Sequence, residues 1–261
     1  ATIGKLQESV TQKLIDKYSI VRKAIAENFN ISDDSMNFSQ AEIQMHGKAA
    51  DDVDIFEKQL KGIIKKIASK GLSMQNVSDF LYAKHAEERN AYIKDNVDDK
   101  LEFGSGMTPQ EINKILNETF TQDQIKDLEK IADEFYDIIQ GNRDIMLDYG
   151  LITEEQALSL EDFYENYVPL SGFQNQDINA NSSIEGSKLD ISGHLTERAA
   201  GRSTRADDVI ANIIAARVSV VMKARKNEVL QTLYNLGKAD PNNQVLKVYK
   251  KDELPKSLQF D

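Results

Sequence analysis

Residues 77–112 read VSDFLYAKHAEERNAYIKDNVDDKLEFGSGMTPQEI, and the fold class turns on how the periodicity of this stretch changes. At about 100° per residue, Val77, Phe80, Leu81, Ala91 and Tyr92 share one arc, which predicts an amphipathic helix. Lys84 and Glu88 fall in the middle of that arc, with His85 and Arg89 at its edge. Charges so placed need partners or water, so the spacing predicts a polar network within a helical protein. The pattern fades through the acidic run 95–102 into the turn GSGM, after which Thr108, Pro109 and Glu111 supply a cap, a first-turn proline and a capping-box acid in order.

Helical spacing recurs on both sides. A first helix is expected over 3–29, followed by a polar turn. From His46 the positions Ala49, Val53, Phe56, Leu60, Ile63 and Ile67 step by three and four residues, and Gly71 ends the run. Ser73 is placed to cap the helix carrying YAKHAEERN. Thr121 with Gln124 opens the stripe Ile125, Leu128, Ala132, Phe135, Ile139, Asn142, Met146 and Tyr149, which Gly150 closes, and Asn142 within it is expected to fix helix register. Thr153 caps a shorter helix, and Val168, Pro169 and Leu170 must be extended.

Residues 171–204 turn to Asn, Ser, Gly and Asp with few apolar anchors and read as one long loop. A last helix is expected from Ser203 or Thr204 to Leu236, with Gly237 as its stop. The fold class is therefore all-α: long antiparallel helices in an irregular bundle, with a helical bundle over 1–170, the loop over 171–204, a long helix over 205–237 packing back, and an extended connector over 238–261. The strand-like end VYKKDELPKSLQFD suggests a fragment of a larger protein.

Composition narrows the chemistry. The chain has 261 residues, 40% hydrophobic and 29% charged, enough for a sizeable core. With no cysteine there is no disulfide framework, thiolate nucleophile or Cys-based zinc site, which fits a reducing compartment. His46, His85 and His194 show no HxxxH or HExxH spacing, so neither metal nor other cofactor is expected. His46 reads as a satisfied core or boundary histidine. No apolar run is long enough for a membrane segment, and no signal-peptide pattern appears. GSGMTP lacks the strand and GK[ST] of a phosphate loop, and no serine sits in a GxSxG elbow.

The last long helix repeats the anomaly, because Arg217, Arg225 and Glu228 project from the same side as Ile210, Ile213, Ile214, Val220, Val221 and Ala224. The economical expectation is a structural charged network of Lys84, His85, Glu88, Arg89, Arg217, Arg225 and Glu228. In it Glu88 pairs with Arg217 or Arg225, and Glu228 with Lys84 or Arg89. The functional alternative is a charged pocket that binds an anion or does acid-base work through Glu88 and His85. A formal net charge of −11 excludes a nucleic-acid footprint over the whole surface. Locally, however, 195–227 holds seven basic and three acidic residues, net +4, which leaves −15 elsewhere. Arg198, Arg202, Arg205 and Lys223 are thus candidates for phosphate or nucleic-acid contact, set against ordinary salt bridges with Asp207 and Asp208.

In order along the chain, AEIQMHGKAADDVDIFEKQL, FLYAKHAEERNAYI, FGSGMTPQEI, DYGLITEEQ, YENYVPLSGF, AAGRSTRADDVIANIIA and ARKNEV resemble successive blocks of the large polyvalent proteins of tailed phages. That group includes defence-against-restriction proteins and relatives of virion-packaged RNA polymerases. The likeness spans 41–229, and Tyr82, His85, Glu88, Arg89, Asn90, Gly104, Gly106, Tyr167, Val168, Pro169, Leu170, Gly201, Arg202, Arg225, Lys226 and Asn227 occupy its motif positions. It implies a helical, non-catalytic structural or scaffold module of a long phage polypeptide, packed in the virion interior and ejected with the DNA into the host cytoplasm. The partners it implies are other domains of the same polypeptide, phage DNA or virion proteins. No catalytic residue is carried over. The alternatives are a nucleic-acid-binding module using the basic 198–226 segment and an accessory region of a virion RNA polymerase.

Overall fold

The computed structural model describes residues 21–29, 37–96, 103–161, 165–170 and 208–249. Among these the protein is all α-helical, with no strand. Residues 21–28 form α1, Phe38–Ser69 α2, Met74–Asn96 α3, Pro109–Asn113 α4, Gln122–Asp148 α5, Glu154–Glu161 α6 and Val209–Ala239 α7. The helix of α4 widens into a π turn over Lys114–Glu118, closed by the Thr119 amide on the Lys114 carbonyl at 2.9 Å. The chain forms two compact units, Ala1–Ala50 with Arg225–Asp261, and Asp51–Ala224. Both α2 and α7 contribute residues to each.

Helix ends follow local chemistry. The Thr108 hydroxyl accepts from the Glu111 amide while Glu111 reaches back to the Thr108 amide, and Thr121 with Gln124 does the same for α5. Thr153 and Gln156 make the equivalent pair of bonds for α6, at 2.9 and 3.2 Å. At the other ends Gly71 and Gly150 take φ of 68° and 65°. The following residues, Leu72 and Leu151, then donate to Ile67 and Met146, five positions back, at 3.2 and 2.8 Å, satisfying carbonyls that would otherwise be orphaned.

Both ends of the last helix depart from expectation. The cap of α7 is Asp208 rather than Ser203 or Thr204. Its Oδ1 accepts from the Ile210 and Ala211 amides, and Ser78 of α3 donates to the same oxygen while taking the Val209 amide on its hydroxyl at 3.1 Å. Gly237 does not stop the helix, which runs on to Ala239. The glycine instead makes room, because a Cβ there would lie 3.0 Å from Val248 Cγ2 and 3.3 Å from Leu246 Cβ. The loop expected over 171–204 lies outside the described residues, as do 3–20 of the first helix and residues 250–261.

The core of the larger unit is built from the periodic positions. Phe56, Leu60, Ile63 and Ile67 of α2 join Val77, Phe80, Leu81, Ala83 and Ala86 of α3, Leu128, Ile131, Ala132, Phe135 and Ile138 of α5, and Val209, Ile210 and Ile213 of α7. Each large side chain so enclosed is worth about 1.5–3 kcal/mol relative to exposure, which outweighs the weak intrinsic preferences along these helices. In the smaller unit Ile25, Phe38, Met45, Ala49, Val229, Leu233 and Leu236 are buried.

Candidate functional site

Two separate stretches of the larger unit dock on α3, the turn 103–107 and the segment 165–170. The turn after α3 is held by α3 itself: the Tyr82 hydroxyl donates to the Ser105 carbonyl at 2.7 Å, and Asn90 accepts from the Ser105 amide at 2.8 Å while donating to the Met107 carbonyl at 2.9 Å. Arg89 Nε approaches the Gly104 carbonyl at 3.4 Å. Gly104 is required by contact rather than by φ, since a Cβ would sit 2.5 Å from Cβ and 2.7 Å from Cγ1 of the fully buried Ile93. Gly106, at φ 83°, turns the chain back toward α4.

One helical turn away, Glu88 receives the extended segment 165–170. Its carboxylate accepts from the Asn166 backbone amide at 3.0 Å and from the Asn166 side-chain amide. The His85 and Tyr167 rings meet edge to face, 5.5 Å apart at 81°. Val168 is fully enclosed in the core, and Leu170 packs against it. Proline at 169 gives up an amide that the extended segment does not need for a helix.

Electrostatics here favours neutral groups. Burial, and secondarily the positive field of Arg89, pushes His85 down to about 3, although a hydrogen bond with the Asn166 backbone pulls the other way. Tyr136 of α5 keeps its hydroxyl buried with no hydrogen-bond partner among the described residues, and burial followed by the fields of Glu88, Asp133 and Glu165 raises its pKa. Tyr167 is 43% exposed, yet enclosure of its phenol raises the hydroxyl pKa, with Arg89 opposing. A histidine this acidic is a poor general base near neutrality, and Glu88 spends its oxygens on Asn166, so the acid-base alternative gains no support.

Within the larger unit the expected pairing of Glu88 with Arg217 does not form, because each is bound by a neutral amide. Glu88 is bound by Asn166 instead of Arg217. Arg217 donates to the buried Asn142 of α5 at 2.9 Å and lies 5.8 Å from the Phe56 ring centroid, with burial lowering its pKa against the fields of Asp52 and Asp144. Lys84 is half-buried, 5.9 Å from the Phe80 ring of its own helix. In the smaller unit Glu228 takes Arg225, three residues earlier on α7, at 2.9 Å and Lys48 at 3.4 Å. Of the basic candidates, Lys223 is half-buried on α7, and Arg198, Arg202 and Arg205 lie outside the described residues.

Asn90, Ser105 and Asn166 carry this site as much as the charged residues do. Asn90 and Tyr167 stand among the motif positions of the phage resemblance, whereas no local signal marks Ser105 or Asn166 as their partners. Among the described residues no three His, Asp or Glu side chains gather to hold a metal ion, and no helix is long and apolar enough to cross a membrane. Comparison with family models, with characterised proteins and with solved structures finds no match.

Proposed function

We propose that the chain is a non-catalytic, helical structural module of a large phage-encoded protein, packaged in the virion and delivered with the DNA. One observation carries the architectural part of this reading. The polar side chains shared by three of the resembling blocks are spent on protein backbone and on one another: Tyr82 and Asn90 on the GSGM turn, Glu88 on Asn166, His85 against Tyr167. A catalytic constellation would leave a nucleophile, or a base of matched pKa, aimed at a substrate. Here the groups lock a turn and an extended segment to one helix. The phage assignment rests on the order of the sequence blocks.

Mass spectrometry of particles purified from the phage or induced prophage that encodes the chain tests the proposal. Peptides from 41–229 are expected in gradient-purified, nuclease-treated particles at a constant ratio to the capsid protein. Their presence in infected cells but not in particles would overturn it.

A further inference from the structure

The smaller unit holds a second polar cluster, in which charge and enclosure are mismatched. Glu42 of α2 is 2% exposed. Arg22 Nη2 of α1 lies 3.2 Å from one of its oxygens, and His46 Nε2, one turn further along α2, lies 3.8 Å from the other. Arg22 Nε, Glu42 Oε2 and both ring nitrogens of His46 are nevertheless buried without a hydrogen-bond partner among the described residues. His46 is thus not the satisfied histidine expected from its place in the stripe.

We propose that Arg22, Glu42 and His46 form an acid-sensitive latch between α1 and α2: the enclosed Glu42 already faces the Arg22 guanidinium, and a proton taken up by His46 adds a second cation to that single carboxylate, so that α1 is released. The charge count carries the argument. One buried carboxylate faced by Arg22, whose side chain is 36% exposed, is already neutralised, and His46, with 17% of its side chain exposed, has little water with which to stabilise a further charge. On α1, Lys23 and Glu27 are exposed, and on α7 Arg225 and Glu228 engage each other and Lys48. The balance at His46 agrees in direction, since burial lowers its pKa by more than Glu42 raises it. A folded-state pKa below the unfolded value means that the latch is fully closed above about pH 6.5 and is lost as pH falls.

Hydrogen exchange of the whole chain, read on peptides covering 21–28 and corrected for intrinsic exchange rates, tests the latch from pH 7.5 to 5. In the wild type the protection of 21–28 should fall with acidification, by up to about tenfold per pH unit for one linked proton. His46→Phe and, as a second non-titrating form, His46→Gln should flatten that dependence. Arg22→Met should abolish or reverse it, because Glu42 is then left for protonated His46 alone. The proposal is overturned if the wild type shows no pH dependence or no protection of 21–28 at pH 7.5, if both histidine variants fall as the wild type does, or if Arg22→Met retains the wild-type slope.

Discussion

Gly104→Ala tests how tightly the turn after α3 is seated. Gly104 is not among the glycines with positive φ, so the added methyl acts through packing alone. Its Cβ would meet Ile93 Cβ at 2.5 Å and Cγ1 at 2.7 Å, and Ile93 is fully buried and β-branched, so its Cβ cannot turn away unless α3 and the turn part. Parting them strains the bonds from Tyr82 and Asn90 at 2.7, 2.8 and 2.9 Å. Overpacking costs about 1–3 kcal/mol, and one weakened buried bond adds about 1, so the expected loss is about 2–4 kcal/mol. Urea unfolding at pH 7.5 measures it as a lower midpoint at unchanged slope. In an Ile93→Ala background Cγ1 and the still closer Cγ2 are gone and only the Cβ contact remains, so Gly104→Ala should cost at least about 1 kcal/mol less than in the wild type. A loss under about 0.5 kcal/mol, or the same loss in both backgrounds, refutes the claim that the turn rests on Ile93.

Gly47 and Gly62 lie inside α2, where a methyl added to either would meet nothing within 4 Å, and they should behave oppositely: alanine at either raises stability by about 0.5–1 kcal/mol in the same urea assay. His85 predicts acid lability of the larger unit. Its folded pKa of about 3 lies below the unfolded 6.5, so stability is complete above pH 6.5 and lost below it, by about 2 kcal/mol at pH 5. That part of the pH slope should vanish in His85→Phe. Asn90→Ala leaves the Ser105 amide without its acceptor and the Met107 carbonyl with only the Ser105 hydroxyl at 3.4 Å, and should cost about 1–3 kcal/mol; a near-neutral result in thermal melts would mean that water replaces the side chain without penalty.

The sequence announces its local chemistry plainly. The capping boxes at Thr108 and Thr121, the stops at Gly71 and Gly150 and the buried stripe of α2 all depend on neighbours within five residues, where spacing alone reports the contact. Partners across the chain are not legible. A helical period shows which side of α3 carries Glu88, but not that the amides of Asn166, 78 residues on, arrive before any arginine. The start of α7 escapes a local reading for the same reason. Ser203 and Thr204 are good caps in isolation, and so is Asp208, whose oxygen takes the Ile210 and Ala211 amides; what spacing does not report is the added bond from Ser78, 130 residues away. Gly237 looks like a terminator because its reason for being small lies in Leu246 and Val248.

The bond that Ser78 lends to the first turn of α7 gives the assembly a direction in time. The GSGM turn can seat on α3 as soon as both have left the ribosome, since its bonds span 15–23 residues. The α7 start must wait for its partner over a separation of about 130, a slow closure that leaves the apolar side awaiting Ile210 and Ile213 uncovered meanwhile. During synthesis this interval is when the nascent larger unit most needs a chaperone, and shortening it is where a faster-folding variant would have to act.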